Sequence, residues 1–272
     1  MRSLRYRRRP CPAAANPALP GPDAAGSASI GFSVSRPAAC LTFVLLFFIA
    51  GSLQAQINLI NPSFPKKESF TYVRSSERGE EMVLIEMRLV ENSATGEREQ
   101  PAARPHYEYR MQSDSKDMLV KLSADTLLVF YSEVRLKQSH STVFRTSEIV
   151  QQNKAVGPGE LLICDGNGLD VSLRGFPWRE HDKADLVFLN GSDKFKFGAK
   201  VEGRETLRLN NTAYECYKMQ LSFGGFIGTF FPKSYFWYSV EEPHILVRAE
   251  AAGMMGEDSY EIELVSYSAS SD

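Results

Sequence analysis

The sequence predicts a mostly β protein: a single antiparallel, strongly curved sheet, an open barrel or half-barrel, with at most one or two short helices. Three observations carry that reading. Phe195, Phe197, Ala199 and Val201 alternate with Lys196, Gly198, Lys200 and Glu202, the period-two pattern of a half-buried strand. Similar runs recur at short intervals across residues 68–268, separated by polar turns. No long amphipathic helix and no internal repeat interrupts them.

The first 55 residues read as a leader outside the fold. Five arginines lie within residues 1–9, an Ala/Pro/Gly/Ser-rich stretch continues to Ala39, and residues 41–50 are apolar apart from Thr42. Gly51-Ser52-Leu53-Gln54-Ala55 then supplies small residues for a signal peptidase, predicting cleavage near Ala55 and export to the periplasm. The apolar run is short of the roughly 20 residues of a spanning helix, so no stable membrane span is expected after cleavage. The stretch before that run is long for a signal, which places the natural start downstream, near Val34. Trimming after Ala55 lowers Lys+Arg from 31 to 25 and Asp+Glu from 33 to 32, so the net charge moves from −2 to −7. An acidic chain without clustered cations excludes nucleic acid as a partner.

Residues 56–67, with two prolines, read as a linker into one domain, and residues 269–272 as a tail. Phe70 and Tyr72 open the first strand. Val83, Ile85 and Met87 alternate through the second; Tyr107, Tyr109 and Met111 mark a third, and Met118, Val120 and Leu122 a fourth. Residues 126–131 and 140–145 are further candidates, and 147–154 suggest one or two helical turns. Around Asp165-Gly166-Asn167-Gly168 the composition predicts a hairpin joining 161–164 to 169–173. Residues 179–185 suggest another short helix, and 186–189 are an apolar run. Beyond 195–202, a separate run at 205–209 follows Gly203. Asn210-Asn211-Thr212 is a turn, and strands follow at 214–221, 235–240, 245–250 and 260–267.

No constellation of catalytic residues emerges, and the expected function is non-enzymatic. The four histidines are scattered without metal-ligand spacing, Asp165-Gly-Asn167-Gly lacks the later acids of a calcium loop, and the glycines of 224–228 lack a phosphate-loop ending. No metal or cofactor is predicted. Cys164 and Cys216 survive trimming; a disulfide between them and two buried thiols are equally compatible with the sequence. The aromatic density of 223–240 is the distinctive feature. Phe236 and Tyr238 share one side of their strand and Tyr235 and Trp237 the other, so one face packs on the core while the other is covered or meets a ligand. Phe226, Phe230, Phe231, Tyr235 and Trp237 are the candidate binding residues. A lipid or other apolar ligand is the first expected partner, a protein of the cell envelope the second, and an envelope hydrolase the least supported alternative.

Residues 201–207 (Val-Glu-Gly-Arg-Glu-Thr-Leu), 214–219 (Tyr-Glu-Cys-Tyr-Lys-Met), 235–239 (Tyr-Phe-Trp-Tyr-Ser), 242–248 (Glu-Pro-His-Ile-Leu-Val-Arg) and 261–264 (Glu-Ile-Glu-Leu) resemble the exported bacterial family "domain of unknown function 3108". The resemblance covers 70–267. It implies an N-terminal signal and a β-rich domain, and brings no catalytic residues. Asn210-Asn211-Thr212-Ala213 departs from that family's Pro-Ala-Gly-Thr-type turn. At the level of fold the pattern is also similar to the curved half-barrels of periplasmic lipoprotein carriers.

Overall fold

In the computed structural model the described residues are 57–91, 104–139, 141–146, 157, 159–163, 166–190, 193–224, 231–252 and 258–271. Residues Ser52–Asp272 form one compact unit. Thirteen strands make one unclosed sheet: β1 (Lys67–Ser76), β2 (Gly79–Val90), β3 (His106–Gln112), β4 (Lys116–Ser123), β5 (Val129–Leu136), β6 (Ser141–Thr146), β7 (Glu160–Ile163), β8 (Lys183–Asn190), β9 (Asp193–Leu209), β10 (Thr212–Phe223), β11 (Ser234–Ser239), β12 (Leu246–Ala251) and β13 (Tyr260–Ser270). Their spatial order is β6-β5-β4-β3-β2-β1-β13-β12-β11-β10-β9-β8-β7. Pairing is antiparallel throughout except for β7 with β8.

That parallel pair explains the one helix described, α1 (Leu169–Arg174). Parallel neighbours need a crossover, and a tight hairpin cannot supply one. The hairpin expected over residues 161–173 is therefore replaced by a 3₁₀ turn (Gly166–Gly168) running into α1. The alternation of Leu169, Val171 and Leu173 imitates a strand because Val171, Ser172, Leu173 and Arg174 are all buried, which erases the helical signature. Gly168 is required by close approach: a Cβ there would lie 2.5 Å from Val129 Cγ2. Of residues 179–185, expected as a helix, 179–182 form a turn and a bend and 183–185 begin β8. The helical turns expected at 147–154 lie outside the described residues.

The alternation pattern places the core. Val83, Ile85 and Met87 of β2, Tyr107 and Tyr109 of β3, and Val120 and Leu122 of β4 are buried on one face, with charged neighbours opposite. This face curves around α1. The Tyr109 hydroxyl donates to Asp170 Oδ2 at 2.7 Å, and the Tyr238 hydroxyl of β11 donates to the Asp170 carbonyl oxygen at 3.2 Å. β3 and β11 are five strands apart, about 24 Å on a flat sheet. Side chains from both reach one helical residue only because the sheet bends. Residues 57–64, expected as a linker, supply Ile57, Leu59 and Phe64 to the core, and Ile60 N–H bonds the Gly175 carbonyl at 2.7 Å.

Two local features shape the aromatic half. The expected break at Gly203 is a bulge within one continuous strand: Lys218 pairs with Gly203 and Met219 with Val201, leaving Glu202 unpaired, while Gly203 takes φ +149°. Asn210 and Asn211 both have positive φ (48° and 66°), the conformation of the two-residue turn that matches strand twist.

Candidate functional site

The middle of the concave face is filled. Arg174 donates two hydrogen bonds to Glu68, at 2.9 and 2.8 Å, and its Nε donates to the Pro243 carbonyl at 3.0 Å. Its guanidinium lies 4.2 Å from the Phe64 ring centroid, and the Tyr267 hydroxyl donates to Glu68 at 2.7 Å. Burial, followed by the bond to Glu68, pushes the Tyr267 hydroxyl well above its ordinary range. Nearby, burial pushes the Asp170 carboxyl up against the opposing hydrogen bond from Tyr109. It pushes the Tyr72, Tyr109 and Tyr238 hydroxyls up as well, with Asp170 adding to the effect. Among these groups remains a void of about 10 Å³ lined by Tyr72, Tyr109, Asp170 and Arg174, room for about one water. Every one of these hydroxyls and the Arg174 guanidinium has a partner, so the cluster reads as a clasp holding α1 in place.

At one end of this face the core stays open. Phe188 of β8, Phe197 of β9, Phe223 of β10 and Phe231 ahead of β11 form a row with successive ring centroids 4.7, 4.4 and 4.7 Å apart. Register explains it: Phe223 pairs with Phe197, and Phe197 with Leu186, two residues from Phe188. Phe188, Phe197 and Phe223 are half-buried, whereas Phe231 is 38 % exposed and Phe195, next along the same face, is 42 % exposed. Farther from the strand ends the same face is sealed: Leu186, Ala199, Met219 and Leu221 are buried.

Of the five residues expected to bind a ligand, the three described ones do not come together. Phe231 belongs to the row, and Phe226 and Phe230 lie outside the described residues. Tyr235 and Trp237 lie on the opposite face, because Trp237 pairs with Lys218 and Tyr235 with Gln220, whereas Tyr238 pairs with Tyr217 toward the core. Trp237 is only 4 % exposed. Among the described residues, long polar side chains of neighbouring strands lie over it: Lys218 Nζ sits 5.0 Å from its ring centroid, the Arg248 guanidinium 5.4 Å, and its indole N–H donates to Glu205. Cys216 is a free, buried thiol; burial, then Glu205 and Glu215, push it up to about 12. Its expected partner Cys164 lies outside the described residues.

The phenylalanine row was not legible as a site beforehand. Phe195 and Phe197 appear in the sequence as core positions of a strand, and only the pairing of β8, β9 and β10 aligns them with Phe188 and Phe223. Three histidines fall among the described residues: His106 and His181 at strand or turn margins, and His244 buried with Nδ1 2.9 Å from the Ser239 carbonyl oxygen. Burial lowers the His244 pKa. No group of three His, Cys, Asp or Glu side chains that could hold a metal occurs among the described residues, and no helix there is long and apolar enough to cross a membrane.

Comparison with known proteins overturns the resemblance to the domain of unknown function 3108. No family model matches the chain, and no curated protein does. Three solved structures similar to it carry other descriptions. One is a DUF1329 family protein from Desulfovibrio piger ATCC 29098, at 9 % identity over 76 % of this chain and 86 % of that one, TM-score 0.29. Another, from Bacteroides fragilis NCTC 9343, is described as a candidate exported protein with a YmcC-like fold, at 12 % identity over 78 % and 99 %, TM-score 0.32. A third is a candidate lipoprotein from Parabacteroides distasonis ATCC 8503, at 10 % identity over 78 % and 100 %, TM-score 0.29. The motifs that suggested the other family are strand and turn sequences, which unrelated antiparallel sheets share. At this distance the structural neighbours add nothing to what the geometry says of function.

Proposed function

We propose that the protein is exported and, without performing covalent chemistry, binds the acyl chain of an envelope lipid or similar amphiphile along the phenylalanine row. The charged start, short apolar run and small-residue exit ahead of Ala55 support export. The observation that carries ligand binding is the row itself: four rings in edge-on and tilted contact on the core face, left partly in water where Leu186, Ala199, Met219 and Leu221 farther along that face are buried. The shape of the row selects the occupant. It is one ring wide and at most about 14 Å long, a strip that suits a single hydrocarbon chain. A stable protein partner needs about 800 Å² on each side.

Titration of the purified mature chain with a fluorescent fatty acid tests the reading. The expected result is saturable binding, displaced by unlabelled lipid. Phe223→Ser or Phe197→Ser should weaken it about tenfold or more, since each removes a ring's worth of apolar contact. Absence of saturable binding, or binding indifferent to both substitutions in folded protein, would refute the proposal.

A further inference from the structure

The outer face carries a second arrangement with its own chemistry. The rings of Tyr235 and Trp237 lie 6.2 Å apart, inclined at 40°, and the Lys218 ammonium sits 5.0 Å from each centroid. Both distances fall inside the roughly 6 Å range of a cation–π contact. The setting is acidic. Glu205 accepts the Trp237 indole N–H, and Glu250, Glu261 and Glu263 gather around Arg248, with separations of 2.8, 2.5 and 3.7 Å. These four carboxylates face two cations, Lys218 and Arg248, so the patch stays net negative with Lys218 in place. A lysine placed there only to cover Trp237 would be expected to seek a carboxylate. Among the described residues no carboxylate forms an ion pair with Lys218, and its ammonium is held by the two rings.

We propose that Tyr235 and Trp237, with the surrounding glutamates, form a binding site for a small organic ammonium ion, and that Lys218 fills the site until such a cation displaces it. Aromatic walls with acidic surroundings are the recognition chemistry of quaternary ammonium groups, whose charge is spread over methyls and needs no hydrogen-bond acceptor. Lys218 is suited to the role of an internal occupant. Its ammonium rides on a flexible four-carbon stem and can swing into water without moving the backbone. Exchange of one monovalent cation for another leaves the local charge balance unchanged, so the glutamates favour the incoming ion as they favour the lysine. The site lies across the sheet from the phenylalanine row and does not depend on it.

The probe is tetramethylammonium chloride, titrated onto the mature chain against a sodium chloride series of equal ionic strength. Calorimetry and saturation transfer to the ligand methyl protons are the readouts. Wild type should bind saturably above the sodium control. Lys218→Ala, which removes the internal competitor, should bind about tenfold more tightly. Tyr235→Ala, at a half-buried position, should abolish binding while the circular dichroism spectrum is kept. Binding seen only in Lys218→Ala would overturn the proposal, because the lysine would then be a permanent filling. Equal affinity in wild type and Lys218→Ala, or no effect of Tyr235→Ala, would overturn it as well.

Discussion

The buried pair Glu68–Arg174 ties α1 to β1, and a double-mutant cycle measures that tie. The side chains are 0 % and 3 % exposed and share two hydrogen bonds. Replacing Arg174 with Met strands the Glu68 carboxylate against a single hydroxyl donor, Tyr267; replacing Glu68 with Leu strands the guanidinium. Removing one partner of such a pair costs about 3–5 kcal/mol. For a chain of this size that lowers Tm by roughly 6–20 °C. The double variant Glu68→Leu/Arg174→Met should lie only about 1–3 kcal/mol below wild type, because its remaining defects are an unpaired Tyr267 hydroxyl and Pro243 carbonyl. The coupling energy should therefore be at least about 3 kcal/mol. Urea unfolding followed by circular dichroism gives all four corners of the cycle. A coupling below about 1 kcal/mol would show that apolar packing alone positions α1, and would refute the clasp.

Three further outcomes follow from single sites. Burial pushes the Glu108 carboxyl up, but hydrogen bonds from Arg88, Arg110 and Lys121 outweigh it and hold the group at about 2. Because that is below its unfolded value, its stabilisation is present above about pH 4.5 and lost as pH falls toward 2. Glu108→Gln should cost about 1 kcal/mol at neutral pH, the half-exposed cations screening the rest, and nothing near pH 2; acid titration of Tm distinguishes the two limits. Cys216, pushed up to about 12 and buried, should resist iodoacetamide at pH 8 in the native chain and react once urea unfolds it; labelling of the native chain at this position would contradict its placement. Asn211→Ala should destabilise the β9–β10 hairpin by roughly 1 kcal/mol, since alanine resists positive φ, and Asn211→Gly should not, as paired denaturation curves would show.

How much of this could be read from the chain depended on where the alternation was clean. β2, β4 and β9 bury one face and wet the other, so Val83, Val120 and Ala199 declare their side. Separation of Phe236 and Tyr238 from Tyr235 and Trp237 followed from period two alone and matches the observed register. Three features were hidden for physical reasons. α1 is too short and too buried to show helical periodicity. Residues 56–67 contain two prolines, which read as linker although Ile57, Leu59 and Phe64 are core. The phenylalanine row depends on pairing between strands, which a single chain does not print. The covering of Trp237 was likewise concealed: cross-strand neighbours Lys218 and Arg248 supply it, and both read as ordinary solvated charges.

The most direct measurement is mass spectrometry of organic extracts from the protein purified out of its native envelope under detergent-free conditions. The account predicts an acyl-chain amphiphile recovered in near-stoichiometric amount from wild type and depleted in Phe223→Ser. Repeated recovery of no amphiphile from wild type, or equal recovery from both proteins, would contradict it.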